Sequence, residues 1–180
     1  MINRYNYFSD TTKILCDIGE HLPTLKRYAE QCEHITEMGM RFGASTSAFM
    51  LANPKTFISY DIDLDRQLVI DCNDYAKKNG IDFRFIQQDV LTVEIEETDL
   101  LFIDTLHNYE QLKEELSLHG NKSRKYLIFH DTVSFGHSNE TGVGIGLVPA
   151  IKEFVELNPH WQIKEMFYNN NGLLILERNV

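Results

Sequence analysis

The chain has 180 residues, 43% of them apolar and 24% charged, with a formal net charge of −10. That is the size and balance of one globular domain with a substantial core, and it excludes a disordered chain. The negative charge provides no basic footprint for nucleic acid or an anionic membrane, and no stretch approaches the ~18 apolar residues of a membrane helix.

From the N-terminus, residues 11–31 carry Ile14, Leu15, Ile18, Leu22 and Leu25 at helical spacing, with an interruption at Pro23. This reads as a helical cover over residues 1–33, placed before a core of residues 34–178 in a single domain 1–180. Short apolar runs follow near 34–38, 56–61, 82–87, 99–104 and 125–130. Helical segments lie between them at about 45–52, 64–79, 109–119 and 148–157. Ser45 or Thr46 would cap the first of these helices, and Asn79-Gly80 would close the second. Asn108 with Gln111 would open the third as a capping box, Gly120 would end it, and Pro149 suits the first turn of the fourth. The acidic run Glu94-Ile95-Glu96-Glu97 reads as a solvated loop. Strands alternating with helices predict an α/β, Rossmann-like doubly wound sheet of seven strands, mostly parallel. Trp161–Tyr168 and Leu173–Glu177, joined by Asn169-Asn170-Asn171-Gly172, predict a C-terminal antiparallel hairpin. Cys16, Cys32 and Cys72 are odd in number and lack paired metal spacing, so reduced thiols in a cytoplasmic protein are expected.

The first strand leads into Glu37-Met38-Gly39-Met40-Arg41-Phe42-Gly43-Ala44-Ser45 and then a helix. A glycine turn there lets backbone approach a ligand closely, beside the free N–H groups of a helix start. The second strand ends in Tyr60-Asp61-Ile62, and Asp61 follows Gly43 at about the 20-residue spacing at which an acid accepts ribose hydroxyls. Gln88-Asp89-Val90 closes the third strand, where a carboxylate and the next N–H can grip an adenine edge. The dinucleotide pattern G-x-G-x-x-G fails, because Arg41 and Ala44 occupy its later glycine positions; this disfavours a nicotinamide-dependent oxidoreductase.

These segments, with Phe102-Ile103-Asp104-Thr105-Leu106-His107-Asn108-Tyr109, Phe129-His130-Asp131-Thr132 and the stretch from Gly142 to Phe154, resemble the class I S-adenosylmethionine-dependent methyltransferases. The resemblance is to the branch grouped with macrocin O-methyltransferases and cephalosporin hydroxylase-like proteins, and it covers roughly residues 34–178. It implies that Glu37, Gly39, Met40, Arg41, Gly43 and Ser45 serve the methionine part of the cofactor. Asp61 and Ile62 would serve the ribose, Gln88, Asp89 and Val90 the adenine, and Asp104 would be a further cofactor contact. Arg41, in place of a second glycine, leaves the shape of the loop open.

Asp104 and Asp131 should project from neighbouring strand ends, with His107 and His130 nearby. Hard oxygen ligands suit Mg²⁺ or another divalent ion, held by Asp104 and Asp131 with His130 as a third candidate. Side chains alternate along a strand, so His130 and Asp131 should not face one way, and Asp131 is the favoured ligand. His107, neutral near pH 7, is the candidate general base beside Asp104 and Asp131. The plainer readings are a core hydrogen bond for His130 and a helix cap for His107. The glycine-rich stretch Val133–Gly146 reads as a mobile lid or as disordered surface. Tyr5, Tyr7 and Phe8 would fold over the site, pack simply, or meet a second copy in a homodimer.

The expected activity is methyl transfer from S-adenosylmethionine to a small-molecule acceptor, at a hydroxyl oxygen, with metal assistance. A non-catalytic nucleoside-binding or assembly protein on the same fold is the competing class, and neither nucleic acid nor membrane is an expected partner.

Overall fold

A computed structural model describes residues 16–179. Tyr5, Tyr7, Phe8 and the start of the helix predicted from residue 11 lie outside the described residues. A 3₁₀ turn at Gly19–His21 leads into α1 (Leu22–Ala29), and Pro23 stands in the first turn of α1. The proline therefore starts the helix rather than interrupting it, since its missing N–H has no intrahelical partner to lose there.

The core follows in the order β1 (His34–Met38), α2 (Ala44–Leu51), β2 (Thr56–Asp61), α3 (Arg66–Asn79), β3 (Asp82–Gln87) and β4 (Thr98–Ile103). Next come α4 (Tyr109–His119), β5 (Ser123–His130), α5 (Leu147–Leu157), β6 (Trp161–Phe167) and β7 (Leu173–Arg178). One seven-stranded sheet results, in the order β3-β2-β1-β4-β5-β7-β6. β1 to β5 pair in parallel, and β7 runs antiparallel to both β5 and β6. The fold is the Rossmann-like, mostly parallel sheet with a C-terminal antiparallel hairpin that the sequence predicts. The hairpin folds its last strand inward, so that β6 and not β7 forms the edge.

Both faces of the sheet are covered, which is why β4 is apolar without a break from Leu100 to Ile103 and β5 from Tyr126 to Phe129. Along β4, Leu100 and Phe102 face one core with α1, α2 and α3, while Leu101 and Ile103 face the other with α4 and α5. β7 repeats the alternation with Leu173 and Ile175 against Leu174 and Leu176. The turn that permits this insertion places Asn170 (φ 44°), Asn171 (φ 69°) and Gly172 (φ 93°) in left-handed conformations, which asparagine and glycine tolerate best. Its carbonyls reach back to the end of β5: Asn171 O accepts from the N–H of Val133 and of Ser134 at 2.9 and 3.1 Å.

The helix starts differ in part from expectation. Asn108 caps α4 by accepting from Gln111 N, and Gly80 closes α3 in the left-handed region. α2 is instead preceded by Gly43, and neither Ser45 nor Thr46 caps it. Among the described residues no helix is long and apolar enough to cross a membrane.

Candidate active site

The strand order reverses between β1 and β4, and such a switch point opens a crevice at the carboxyl ends of parallel strands. Here the ladders run one residue past the strands: Gly39 N donates to Tyr60 O and Asp104 N to Met38 O, both at 2.9 Å. Gly39 has φ 93°, and a Cβ on it would lie 2.0 Å from the Asp104 carbonyl oxygen. Only glycine lets the chain turn there against β4. The loop is then held from β2, because Asp61 Oδ2 accepts from Met40 N and Arg41 N, each at 2.8 Å. Arg41 itself sits at φ 46° and pairs with Asp17 at 2.7 Å, which fixes the loop where the dinucleotide pattern would need a second glycine.

Glu37 is a correction to the sequence reading. It is fully buried beneath this loop and lines no part of the crevice. Its carboxylate accepts from Ser45 Oγ (2.6 Å), Thr46 Oγ1 (2.8 Å) and Ser59 Oγ (2.6 Å). Ser45 and Thr46 thus spend their hydroxyls on Glu37 and not on a cap. Burial pushes the Glu37 carboxyl up to about 7 in spite of those three donors.

A cleft of about 410 Å³ opens above the loop. Gly39, Arg41, Asp61, Ile62, Gln88, Asp89, Val90 and Asp104 all line it, joined by Thr105, Leu106, Gln111 and Glu140. Met40 and Ser45 line a smaller hollow alongside, which Gly39, Arg41 and Asp104 share, whereas Gly43 lines neither. Asp89 Oδ1 caps the short turn Val90–Thr92 by accepting from Leu91 N at 2.9 Å. The Val90 carbonyl accepts from His119 Nε2 at 2.8 Å, so this wall of the cleft is fixed from behind.

Four side chains converge around Asp104, the one of them that also lines this cleft. His107 Nε2 lies 3.2 Å from Asp104 Oδ1 and 3.0 Å from Asp131 Oδ2, while His130 Nδ1 lies 3.4 Å from Asp104 and 3.2 Å from Asp131. His130 and Asp131 therefore do turn to one side, against the strand alternation. Asp131 takes φ 59°, a left-handed conformation just past the end of β5, and this cancels the alternation. His130 Nε2 lies 3.3 Å from the Asn170 carbonyl, so the hairpin turn braces the ring from the buried side.

His107 departs from the neutral base that the sequence suggests. Both its nitrogens meet carboxylates, Nδ1 facing Glu140 Oε1 at 2.5 Å, and its ring stacks on Phe135. Burial disfavours the charged ring, but Asp104 and Asp131 outweigh it and raise His107 to about 10. The same balance raises His130 to about 10. Burial also opposes charge on the two aspartates, yet the histidines outweigh it and hold Asp104 and Asp131 below the usual carboxylate range. Without an ion, then, the cluster neutralises itself with imidazolium.

Among the described residues Asp104, His107 and Asp131 form a group whose ligand atoms all lie within 4.8 Å of one another. His107 takes the place that the sequence reading gave to His130. Asp131 Oδ1 is buried without a hydrogen-bond partner, and an unsatisfied oxygen beside a hard-ligand set fits a divalent cation.

Val133–Gly146 folds as a closed loop. Asn139 Oδ1 accepts from Thr141 N, Thr141 Oγ1 and Gly144 N, and Ser138 bridges to Ile145. Glu140, which the sequence reading passed over, ties this loop to His107. Thr105, Glu115 and His119 were also missed; Glu115 is a buried acid four residues beyond Gln111, a helical spacing that was the available signal.

No protein-family model and no curated protein matches the chain. Among solved structures it is similar to the N-methyltransferase NodS from Bradyrhizobium japonicum WM9 in complex with S-adenosyl-L-homocysteine. The TM-score is 0.66 at 16% identity, over 97% of this chain and 95% of that one. It is similar also to magnesium protoporphyrin IX methyltransferase (ChlM) from Synechocystis PCC 6803 with bound S-adenosylmethionine (0.62, 13%, 99% and 92%). A third is the O-methyltransferase from Bacillus cereus in complex with S-adenosylhomocysteine (0.61, 15%, 89% and 81%). At these identities the likeness is one of fold: the chain has the fold of S-adenosylmethionine-dependent methyltransferases.

Proposed function

We propose that the protein transfers a methyl group from S-adenosylmethionine to a hydroxyl oxygen of a small-molecule acceptor, with a divalent ion at Asp104, His107 and Asp131. The observation that carries the reading is the cleft at the switch point, where Gly39, Asp61, Asp89 and Asp104 come together on the fold that the solved methyltransferases share.

S-adenosylmethionine would supply an electrophilic methyl on a sulfonium, and the ion would polarise the acceptor hydroxyl. The rest falls to the chain's own groups. Gly39 keeps backbone clear at the cleft floor. Asp61 accepts three N–H groups, two on Oδ2 and one from Asp63 N on Oδ1, and a carboxylate's fourth acceptor position remains for a ribose hydroxyl. Asp89 keeps one oxygen outside its cap bond for the adenine amine. His130 steadies Asp104 and Asp131 from the buried side, and His107 must release its proton to act as a ligand.

A second reading, metal-independent transfer, is favoured by one observation: His107 already bridges the two aspartates as a cation would. Transfer of labelled methyl to a panel of alcohols and amines, with and without chelator, separates the two. Chelation should abolish transfer and Mg²⁺ should restore it. Asp131→Asn should lose roughly 10- to 100-fold and recover in part with excess Mg²⁺, whereas a defect that does not respond to added metal favours metal-independent transfer. Full activity of metal-stripped enzyme would eliminate the ion. Cofactor binding without transfer to any acceptor would favour the non-catalytic nucleoside-binding class.

A further inference from the structure

Gln111 stands in the first turn of α4, with its backbone N–H fixed to Asn108 Oδ1 at 2.8 Å. A full capping box would send its side chain back to Asn108. It turns instead toward the core, where Nε2 donates to Glu115 Oε1 at 2.8 Å. The same oxygen accepts from Thr105 Oγ1 at 2.6 Å. Glu115 is fully buried, and its Oε2 has no partner. An oxygen that already accepts a hydroxyl offers the amide only lone pairs, so the NH₂ end of Gln111 must face Glu115. The amide oxygen is then turned away from Glu115. It accepts no hydrogen bond from the described residues, and Gln111 lines the cleft with Asp89, Val90 and Leu106.

We propose that Gln111 is a specificity residue of the cofactor cleft: its amide oxygen, oriented by Glu115, accepts from the 6-amino group of a bound purine and selects adenine over 6-oxo purines. The inference rests on the cofactor reading given above. An exocyclic amine has two hydrogens; in this scheme the remaining oxygen of Asp89 takes one and the amide oxygen of Gln111 the other, both residues lining the cleft. A 6-oxo purine would set its carbonyl against both, and a site built for a donor rejects an analogue that lacks one. Glu115 is a positioning residue in this scheme. An amide at position 115 could meet Gln111 with either end, and the orientation of the Gln111 amide would be lost.

Calorimetry on the full chain with S-adenosylhomocysteine and its 6-oxo analogue S-inosylhomocysteine tests this. Wild type should prefer the amino form by about tenfold or more, and Gln111→Ala should narrow that preference about fivefold, chiefly by weakening the amino form. Glu115→Gln should narrow it in the same direction in protein that still unfolds cooperatively, a change in selectivity that a purely structural role would not produce. The same preference in Gln111→Ala as in wild type overturns the assignment. Wild type that binds S-adenosylhomocysteine and the analogue equally also overturns it while leaving the cofactor reading intact. Binding of neither ligand removes that reading and the inference with it.

Discussion

At Glu37 a carboxylate is enclosed entirely, and three hydroxyls from α2 and β2 offset what it loses by leaving water. Its folded-state value of about 7 lies above the ordinary ~4.3 of an exposed glutamate, so the fold favours the protonated form. The stability from that protonation is present in full below about pH 4.3 and is lost as pH rises through about 7. Glu37→Gln, a near-isosteric neutral side chain, should therefore gain on wild type by up to about 3 kcal/mol between pH 4.5 and 8. Denaturant unfolding of both proteins across that range measures the gain, and a constant difference would show that Glu37 is already charged when folded. The motif around Glu37 was legible in the sequence, but its direction was not. Whether that acid faces a ligand or supports the loop depends on hydroxyls that meet it only once α2 and β2 pack. Asp131 was opaque for a related reason: the string Phe129-His130-Asp131-Thr132 reads as strand throughout, and its left-handed turn is imposed by the hairpin contacts beyond it.

The elements of the core were legible because each carries its own period. β4 is apolar at every second position for each of two cores, and α3 and α4 carry their own caps. Connections that depend on distant partners were read less well. Val133–Gly146 looked like a lid or loose surface from its glycines, yet Asn139 organises it internally. Two further bonds pin it to α4 and the site: Tyr109 N to Ile145 O at 3.0 Å, and Glu140 to His107. Of the two, only the carboxylate contact can be removed without altering backbone. Glu140→Ala should therefore speed amide exchange in residues 138–145 by roughly 3- to 10-fold, about 1 kcal/mol of local opening, with β4 and β5 unchanged. Exchange that stays slow in the loop would show that the Asn139 network and the Tyr109–Ile145 bond hold it without Glu140.

For the whole molecule, the parallel sheet follows from alternating periods and a right-handed crossover rule, whereas the inward insertion of β7 pairs strands whose register no local signal encodes. Charge is a property of the whole chain that also bears on the cleft. The net charge is −10, and apart from Asp104 and Glu140, which face the histidines, the cleft gathers Asp61, Asp63 and Asp89 beside Arg41, itself already paired with Asp17. A dinucleotide would bring two phosphates into that field, while S-adenosylmethionine brings a sulfonium and an ammonium against a single carboxylate. S-adenosylmethionine should therefore raise the thermal midpoint and NAD and NADP should not. At a free concentration near 100 Kd the linkage is about 2.7 kcal/mol, or about 5–10 °C for a chain of this length. The sulfonium supplies the difference from S-adenosylhomocysteine, whose sulfur is neutral. Raising salt from about 0.05 to about 0.5 M should thus weaken the sulfonium form more than the neutral one, because screening acts on the extra charge. Equal salt dependence of the two would remove electrostatics from cofactor choice, and stabilisation by NAD alone would overturn the methyltransferase reading.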